Sequence, residues 1–268
     1  GGPAAPSRDV PLHRREGRGL VGVAREAVRR SARGRRPAVP RHPRPVRLQR
    51  PVRVVPGEDA AEQTALADGA ACGVEKWICC GDVTGYGYDA KRALELVRAR
   101  MDVTLKGNHD AVCAKTADEE TKYDRMVPNY DLDRSVRAEL GEDGCKWLRE
   151  LPFRYGTESF ACAHGSFVNP ENFDYIETVD NAKVSFRATR EPLLFVGHTH
   201  VAEVYAQNPE GDVEQLPLED FTLREGWRYL VNVGSIGYPR HTYDLTYVVY
   251  DTEAKRITVR HLHFDVKS

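Results

Sequence analysis

The sequence predicts a layered α/β fold to which an antiparallel part is added. From residue 60 onward, strand-like and helix-like segments alternate along the chain, which is typical of an α/β sheet. The last third contains mainly strand-like segments, which favours antiparallel pairing there. Residues 1–57 differ from the rest in composition. We therefore expect an irregular or disordered segment over residues 1–57 and one domain over residues 58–268.

The first predicted elements are two strands, each followed by an amphipathic helix. Val74–Cys80 is apolar enough for a buried strand, and Asp89–Arg100 carries apolar residues at helical spacing. Asp102–Lys106 predicts the second strand and Ser135–Leu151 the second helix. Residues 115–131 are polar and acidic, so we expect a surface excursion there.

The remaining predicted elements are strands, several of them with alternating apolar and polar residues. They are Ser159–Ala163, Leu193–Val196, Ala202–Ala206, Arg228–Val233, Thr246–Tyr250 and Ile257–His263.

The first 57 residues carry most of the asymmetry in charge. They contain 15 Arg, no Lys, 3 acidic residues and 9 of the 16 prolines, so their net charge is about +12 against about −13 for the remainder. Prolines this frequent argue against a helix or a central strand. A GC-rich gene read out of frame explains this composition best, ahead of a solvated tail and of an arm that binds nucleic acid or anionic lipid. Because the segment has no Phe, Tyr or Trp to stack on bases, we do not expect a nucleic-acid partner.

Cysteine usage indicates a reducing compartment, and the hydropathy of the chain argues against a membrane span. The six cysteines form no C-x-x-C pair, and Cys79, Cys80 and Cys162 lie inside apolar segments, so we expect buried thiols. No apolar run is long enough to span a bilayer, and the start does not resemble a secretory leader. The expectation is a cytoplasmic protein without a membrane partner.

Polar side chains collect just after the predicted strands. They are Asp82, Asn108, His109, Asp110, His164, His198 and His200. In open α/β sheets, ligands bind beyond the carboxyl ends of the strands, and carboxylate, amide and imidazole groups are ligands for Mn, Fe or Zn. Any one of these residues alone could be a turn residue, a helix cap or a core histidine. Together they predict a divalent-metal site.

The ordered motifs resemble those of the calcineurin-like metallophosphoesterases, and within them the bacterial predicted-phosphodiesterase group. The resemblance rests on GD at Gly81, GNHD at Gly107, the histidine of 164-HGS-166, and 197-GHTHVAEVY-205. The stretches 81-GDVTGYG-87, 147-WLRELP-152 and 232-NVGSIGYPR-240 are also similar, so the likeness covers about residues 65–251. It implies an α-β-β-α sandwich with mixed sheets.

The resemblance also implies a role for each site residue. Asp82 would bridge two metals, Asn108, His164 and His198 would complete the second, and His200 would bind the first. His109 would protonate the leaving oxygen and Asp110 would orient its ring. The implied reaction is hydrolysis of a phosphomonoester or phosphodiester, in a phosphorylated small molecule or nucleotide, by hydroxide bound to Mn, Fe, Ni or Zn. Asn232, Ser235 and Arg240 could line the phosphate pocket or simply form a turn.

One motif of the family is missing. Its members open with Asp-x-His after the first strand, which supplies two ligands of the first metal, and no such motif occurs here. Glu58 or Asp59 could replace the aspartate, but no histidine follows at the right spacing. We therefore expect one tight metal instead of two and impaired hydrolysis. The alternative is a non-catalytic module that binds a metal or a phosphate ligand.

Overall fold

A computed structural model describes residues 25–29, 58–85, 90–115, 130–238, 240 and 245–262, with side chains described for all of these except 25–29, 58–61 and 130–133. The helices are α1 (Glu58–Ala71), α2 (Ala90–Arg100), α3 (Asn108–Ala114), α4 (Tyr130–Glu150) and α5 (Val179–Ala188), with a short 3-10 helix at Pro170–Asn172. The strands are β1 (Arg25–Arg29), β2 (Val74–Cys79), β3 (Val103–Thr104), β4 (Arg154–Gly156), β5 (Ala161–Ala163), β6 (Leu193–Val196), β7 (Ala202–Gln207), β8 (Val213–Leu216), β9 (Phe221–Thr222), β10 (Arg228–Val233), β11 (Leu245–Asp251) and β12 (Arg256–Leu262).

The strands form two mixed sheets of six strands each. The first has the order β3-β2-β1-β11-β12-β9 and the second the order β4-β5-β6-β10-β7-β8. Parallel pairs (β2 with β3, β5 with β6, β6 with β10) occur beside antiparallel ones such as β11 with β12. This arrangement confirms the predicted mixed α/β fold.

Alternating side chains build the layers of the sandwich. In β2, Trp77 and Cys79 pack towards a core that α2 and α4 share, whereas Ile78 belongs to the core between the sheets. In β6, Phe195 faces the same central core. Its neighbours Leu194 and Val196 face a third core, which contains Phe186 of α5. Successive strand residues point to opposite faces, so each strand contributes to two cores, which gives the predicted α-β-β-α order.

Several predicted elements differ in extent from the structure. The strand predicted at Asp102–Lys106 is only β3, because the chain turns at Leu105 towards the site. The helix predicted at Ser135–Leu151 is α4, which begins earlier and is kinked at Gly141 (φ 64°, ψ −174°). Helices α1, α3 and α5 were not predicted. Of the predicted surface excursion, residues 116–129 lie outside the described residues.

The segment over residues 1–57 that is predicted to be irregular contains one strand in the structure, at Arg25–Arg29. These residues form β1, which lies between β2 and β11 in the first sheet. A strand is possible there because no proline occurs between Pro11 and Pro37, so the local sequence keeps its backbone donors. The rest of residues 1–57 lies outside the described residues.

Strand β1 runs antiparallel to β2 and parallel to β11. Arg25 pairs with Cys79 at the carboxyl end of β2, and Arg29 pairs with Asp251. The carboxyl end of β1 therefore lies at the sheet edge opposite the one where β2 ends. No helix in the described part of the chain is long and apolar enough to cross a membrane.

Candidate metal centre

The predicted site residues lie where four strands end. Asp82 follows β2 after Gly81, and Asn108 begins α3 four residues beyond the end of β3. His164 comes directly after β5, while His198 and His200 follow β6. Since β2 and β3 are parallel, as are β5 and β6, each sheet brings its ligands to one edge.

The structure brings all five predicted metal ligands together. His164 Nε2 lies 3.1 Å from Asn108 Oδ1, 3.1 Å from His198 Nδ1 and 3.3 Å from Asp82 Oδ2. His200 Nε2 lies 4.0 Å from the same Asp82 oxygen. Ligand atoms of Asp82, His164 and His198 all lie within 4.8 Å of one another. These distances place the side chains around one metal-sized point.

The hydrogen bonds of His164 and His200 turn the Nε2 atoms of both rings towards that point. His164 Nδ1 donates to the Cys80 carbonyl (2.7 Å) and His200 Nδ1 donates to the Tyr238 carbonyl (2.6 Å). A neutral imidazole that donates through Nδ1 presents a lone pair at Nε2. Such backbone partners also fix the ring orientation of metal-binding histidines.

The donor set fits a cation. His164 Nε2 faces the amide oxygen of Asn108 and the carboxylate of Asp82, two acceptors that need a proton or a cation between them and the ring nitrogen. Asp82 Oδ2 is buried and accepts no well-aligned hydrogen bond within the described chain. A divalent ion with mixed N and O ligands would satisfy all of these atoms. The cavity among them measures about 10 Å³, close to the room that one water-sized sphere needs.

The electrostatics of the site keep Asp82 and His198 deprotonated, whereas the Asp82 carboxylate outweighs burial and raises the pKa of His164. Burial would raise the pKa of Asp82, but the neighbouring His164 ring outweighs it and holds that pKa well below its usual range. Burial, reinforced by the charge of His164, lowers the pKa of His198 to about 3. Metal binding needs deprotonated ligands, and both residues meet this condition at neutral pH.

Three of the predicted ligands have left-handed backbone conformations. Asp82, His198 and His200 have φ values of 55°, 68° and 62°. Residues other than glycine rarely adopt this region, and strain of this kind concentrates at functional sites. The conformation turns each side chain out of its strand direction and into the cluster.

The glycines beside the ligands leave no room for a side chain. A Cβ on Gly107 would lie 2.1 Å from Asp82 Oδ1. A Cβ on Gly85 would lie 2.5 Å from His109 Nδ1. The 81–85 turn and the start of α3 therefore approach each other as closely as two backbones can.

Comparison with known proteins identifies the family. The calcineurin-like phosphoesterase superfamily domain matches residues 58–255. The chain belongs to this superfamily. An uncharacterised protein of Methanocaldococcus jannaschii is 26% identical over 204 residues, which are 73% of this chain and 79% of that protein.

Solved structures agree with this assignment. A metallophosphoesterase from Sphaerobacter thermophilus is 25% identical with a TM-score of 0.65, and the match covers 78% of this chain and 85% of that chain. A hypothetical protein from Pyrococcus horikoshii shares the fold at 18% identity and a TM-score of 0.58, with 78% and 84% covered. Calcineurin-like phosphoesterases hydrolyse phosphoesters with metal ions, so the chain is a member of a hydrolase superfamily.

Within this phosphoesterase fold, His109 and Asp110 occupy different environments. The backbone N–H of His109 donates to Asp82 Oδ1 (3.0 Å), and its side chain is buried beside Gly85. Asp110 Oδ2 accepts from the Gly107 N–H (3.0 Å), and its Oδ1 accepts from both the N–H and the hydroxyl of Thr84 (3.2 Å each). These bonds make Asp110 a cap of α3, the alternative left open by the sequence; its predicted action on the His109 ring stays a prediction.

Other residues near the centre have structural tasks. Asn232 Nδ2 donates to the Gly197 carbonyl (2.8 Å) and to the Thr199 hydroxyl (2.9 Å), so it braces the GHTH turn. Ser235 lines the small cavity, and its hydroxyl accepts from the Tyr238 N–H (2.9 Å). Arg240 N–H donates to the His200 carbonyl (3.3 Å). Glu58 and Asp59 begin α1, with side chains outside the described ones.

Sequence reasoning missed several residues that surround the ligands. Thr84 bonds Asp110, the Phe173 carbonyl hydrogen-bonds the His198 ring, and Tyr175 stacks on that ring. Thr84 lies inside a motif that the sequence analysis quoted, so a search of the motifs for hydroxyl donors could have found it. Phe173 and Tyr175 lie between motifs, where the sequence carries no comparable signal.

Proposed function

We propose that this chain is a phosphoesterase that hydrolyses a phosphomonoester or phosphodiester, with activity impaired by the missing Asp-x-His motif. The convergence of Asp82, Asn108, His164, His198 and His200 around one point carries the proposal. The substrate is a phosphorylated small molecule or nucleotide. We also propose that residues 58–268 form the catalytic domain, with β1 added to its first sheet, and that the protein acts in the cytoplasm.

The side chains of the site have different roles in the proposed reaction: holding metal ions, donating a proton and orienting the phosphate. Asp82, Asn108, His164 and His198 would hold one divalent ion, and Asp82 and His200 would hold a second one more weakly. When bound, such ions would supply the Lewis-acid charge that activates water and stabilises phosphate oxygens. His109, the second residue of α3 and buried beside Gly85, donates a proton to the leaving oxygen. Asn108, at the first position of that helix, orients the phosphate beside it.

The impairment follows from the ligand count. The first metal position has only Asp82 and His200 among the described side chains. Strand β1 does not replace the missing ligands, because its carboxyl end points away from the site and the residues after it, 30-RSARG-34, contain neither carboxylate nor imidazole. The same shortage favours the second candidate, a module that binds one metal or a phosphate group without turnover.

A hydrolysis assay separates the two candidates. The chain as it stands is expected to cleave p-nitrophenyl phosphate and bis-p-nitrophenyl phosphate poorly, even with added manganese. A variant in which the residues before Glu58 are replaced by a strand ending in Asp-x-His is expected to recover turnover. If that variant is inactive on both esters with manganese, nickel, iron and zinc, the binding module is the better account. Full activity of the original chain contradicts the claimed impairment.

A further inference from the structure

Two exposed aromatic rings stand beside the metal centre. Among the described residues, the exposed large apolar side chains are Tyr175 (43% exposed), Val184 (45%) and Tyr238 (52%). Both tyrosines contact histidines of the site, whereas Val184 lies on α5. Exposed aromatic side chains next to a buried polar site are typical of ligand contacts.

Tyr175 covers one face of a ligand. Its ring stacks on His198 with centroids 3.9 Å apart and planes at 9°. Stacking occupies one face of the tyrosine, and the exposed fraction of 43% shows that much of the remaining ring surface faces solvent. A second flat ring could therefore continue the stack outward from the site.

Tyr238 stands against the other histidine of the GHTH motif. Its carbonyl accepts from His200 Nδ1 (2.6 Å), and its ring meets the His200 ring edge-on, with centroids 6.1 Å apart and planes at 79°. The two tyrosines thus flank two histidines that are separated by a single residue.

The backbone holds both rings in place. Ser166 N–H donates to the Asp174 carbonyl (2.9 Å), which ties the chain before Tyr175 to the 164-HGS-166 turn. The Ser235 hydroxyl accepts from the N–H groups of Tyr238 (2.9 Å) and Gly237 (3.3 Å). Rings on fixed supports bind a flat ligand at a low cost in conformational entropy.

We propose that Tyr175 and Tyr238 form a platform for a flat conjugated ring attached to the phosphate group. This inference rests on the proposed function. It restricts the substrate class to nucleotides or aryl phosphate esters and disfavours sugar and lipid phosphates, which have no conjugated ring to stack. Base–aromatic stacking contributes about 1–3 kcal/mol per base, which corresponds to roughly a fivefold to hundredfold gain in affinity.

Calorimetry with non-hydrolysable phosphonates tests the platform. In the presence of manganese, phenylphosphonate is expected to bind the full chain roughly tenfold more tightly than methylphosphonate. The preference should fall below about threefold in Tyr175→Ala and Tyr238→Ala, because each loses a stacking surface. It should persist in Tyr175→Phe and Tyr238→Phe, which keep the ring, and in the control Val184→Ala.

The outcomes distinguish this inference from the proposed function. If methylphosphonate binds and phenylphosphonate binds no better, or if both alanine variants keep the preference, the platform is wrong and the proposed function stands. If neither phosphonate binds the wild-type chain, both fail. A second pair of ligands, AMP and ribose 5-phosphate, identifies the source of the ring. A preference for AMP indicates a nucleobase, and its absence beside a phenylphosphonate preference indicates an aryl ester.

Discussion

At the scale of single residues, the site is determined by which ring nitrogens face Asp82. His164 and His200 donate Nδ1–H to backbone carbonyls, so their Nε2 atoms point at Asp82. Asp82 Oδ2 is buried without a well-aligned donor among the described residues. In the metal-free protein the Asp82 carboxylate raises the pKa of His164, so a proton on that ring takes the place that a metal ion would occupy.

Asp82 and His109 should differ in their effect on catalysis. In the variant with Asp-x-His restored, His109→Ala is expected to lower kcat by roughly 10²–10⁴-fold, the range for a lost general acid. Asp82→Asn should lower kcat further and also reduce metal content, because Asp82 serves both metal positions. The Asn side chain tolerates the positive φ of this position, so the change is mainly electrostatic. Equal metal content in wild type and Asp82→Asn would contradict the bridging role.

The lowered pKa of His198 predicts a dependence of stability on pH in the metal-free chain. The folded state resists protonation until about pH 3, whereas the unfolded state takes up a proton near pH 6.5. The unfolded state then binds more protons below pH 6.5, so His198 makes the free energy of unfolding fall as the pH decreases from 6.5 towards 3.

Substitution of His198 should remove this contribution. In chelator, the loss of unfolding free energy between pH 6.5 and 4.5 is expected to be smaller in His198→Asn than in wild type by about 2 kcal/mol. Denaturant titrations at the two pH values measure it. Identical losses in the two proteins would show that His198 is protonated as easily in the folded state as in the unfolded state.

At the scale of elements, the site depends on how strands end and how helices begin. The five residues predicted as ligands are neighbours in the structure because each follows an apolar strand and strand ends of one sheet share an edge. The sequence could not predict which side-chain oxygens and backbone N–H groups hydrogen-bond to one another in the turns. Asp110 is an example, because its bonds to Thr84 and Gly107 join segments far apart in the chain.

Gly107→Ala adds a single methyl group but should abolish metal binding at the centre. The new Cβ would meet Asp82 Oδ1 at 2.1 Å and the Asp82 N–H at 2.3 Å, so the 81–85 turn and α3 must separate. We expect loss of metal binding, measured by elemental analysis after dialysis, together with a lower melting temperature. The matched control is Gly156→Ala in β4, where the nearest atom would be 3.5 Å away. A Gly107→Ala protein with the metal content of the control would contradict the close approach.

At the scale of the whole molecule, the two sheets and their three cores follow from alternating apolar residues that the sequence displays plainly. Strand β1 was missed because its sequence, REAVR, has no long apolar run and lies in an Arg/Pro-rich segment. Its place is determined by the neighbouring strands β2 and β11, whose backbone groups need a partner. A local sequence pattern cannot predict a strand whose position is determined by the strands beside it.

Truncation tests whether β1 belongs to the sheet. Removal of residues 1–24 is expected to leave the free energy of unfolding unchanged, whereas removal of residues 1–57 exposes the edges of β2 and β11 and should lower it by several kcal/mol or cause aggregation. Chemical denaturation followed by circular dichroism compares the two. Equal stability of both truncated proteins would show that residues 25–29 contribute nothing to the sheet, as expected of out-of-frame sequence.

The number of tightly bound ions per chain tests the central claim most directly. The chain is loaded with manganese, dialysed and measured by elemental analysis, beside His164→Ala as a variant that lacks the central ligand. We expect one ion per wild-type chain, because one position has four protein ligands and the other has two, and close to none in His164→Ala. Two tightly held ions would show that a residue outside the described cluster completes the first position. No retained ion in the wild type, or equal retention in His164→Ala, would contradict a metal centre at this point.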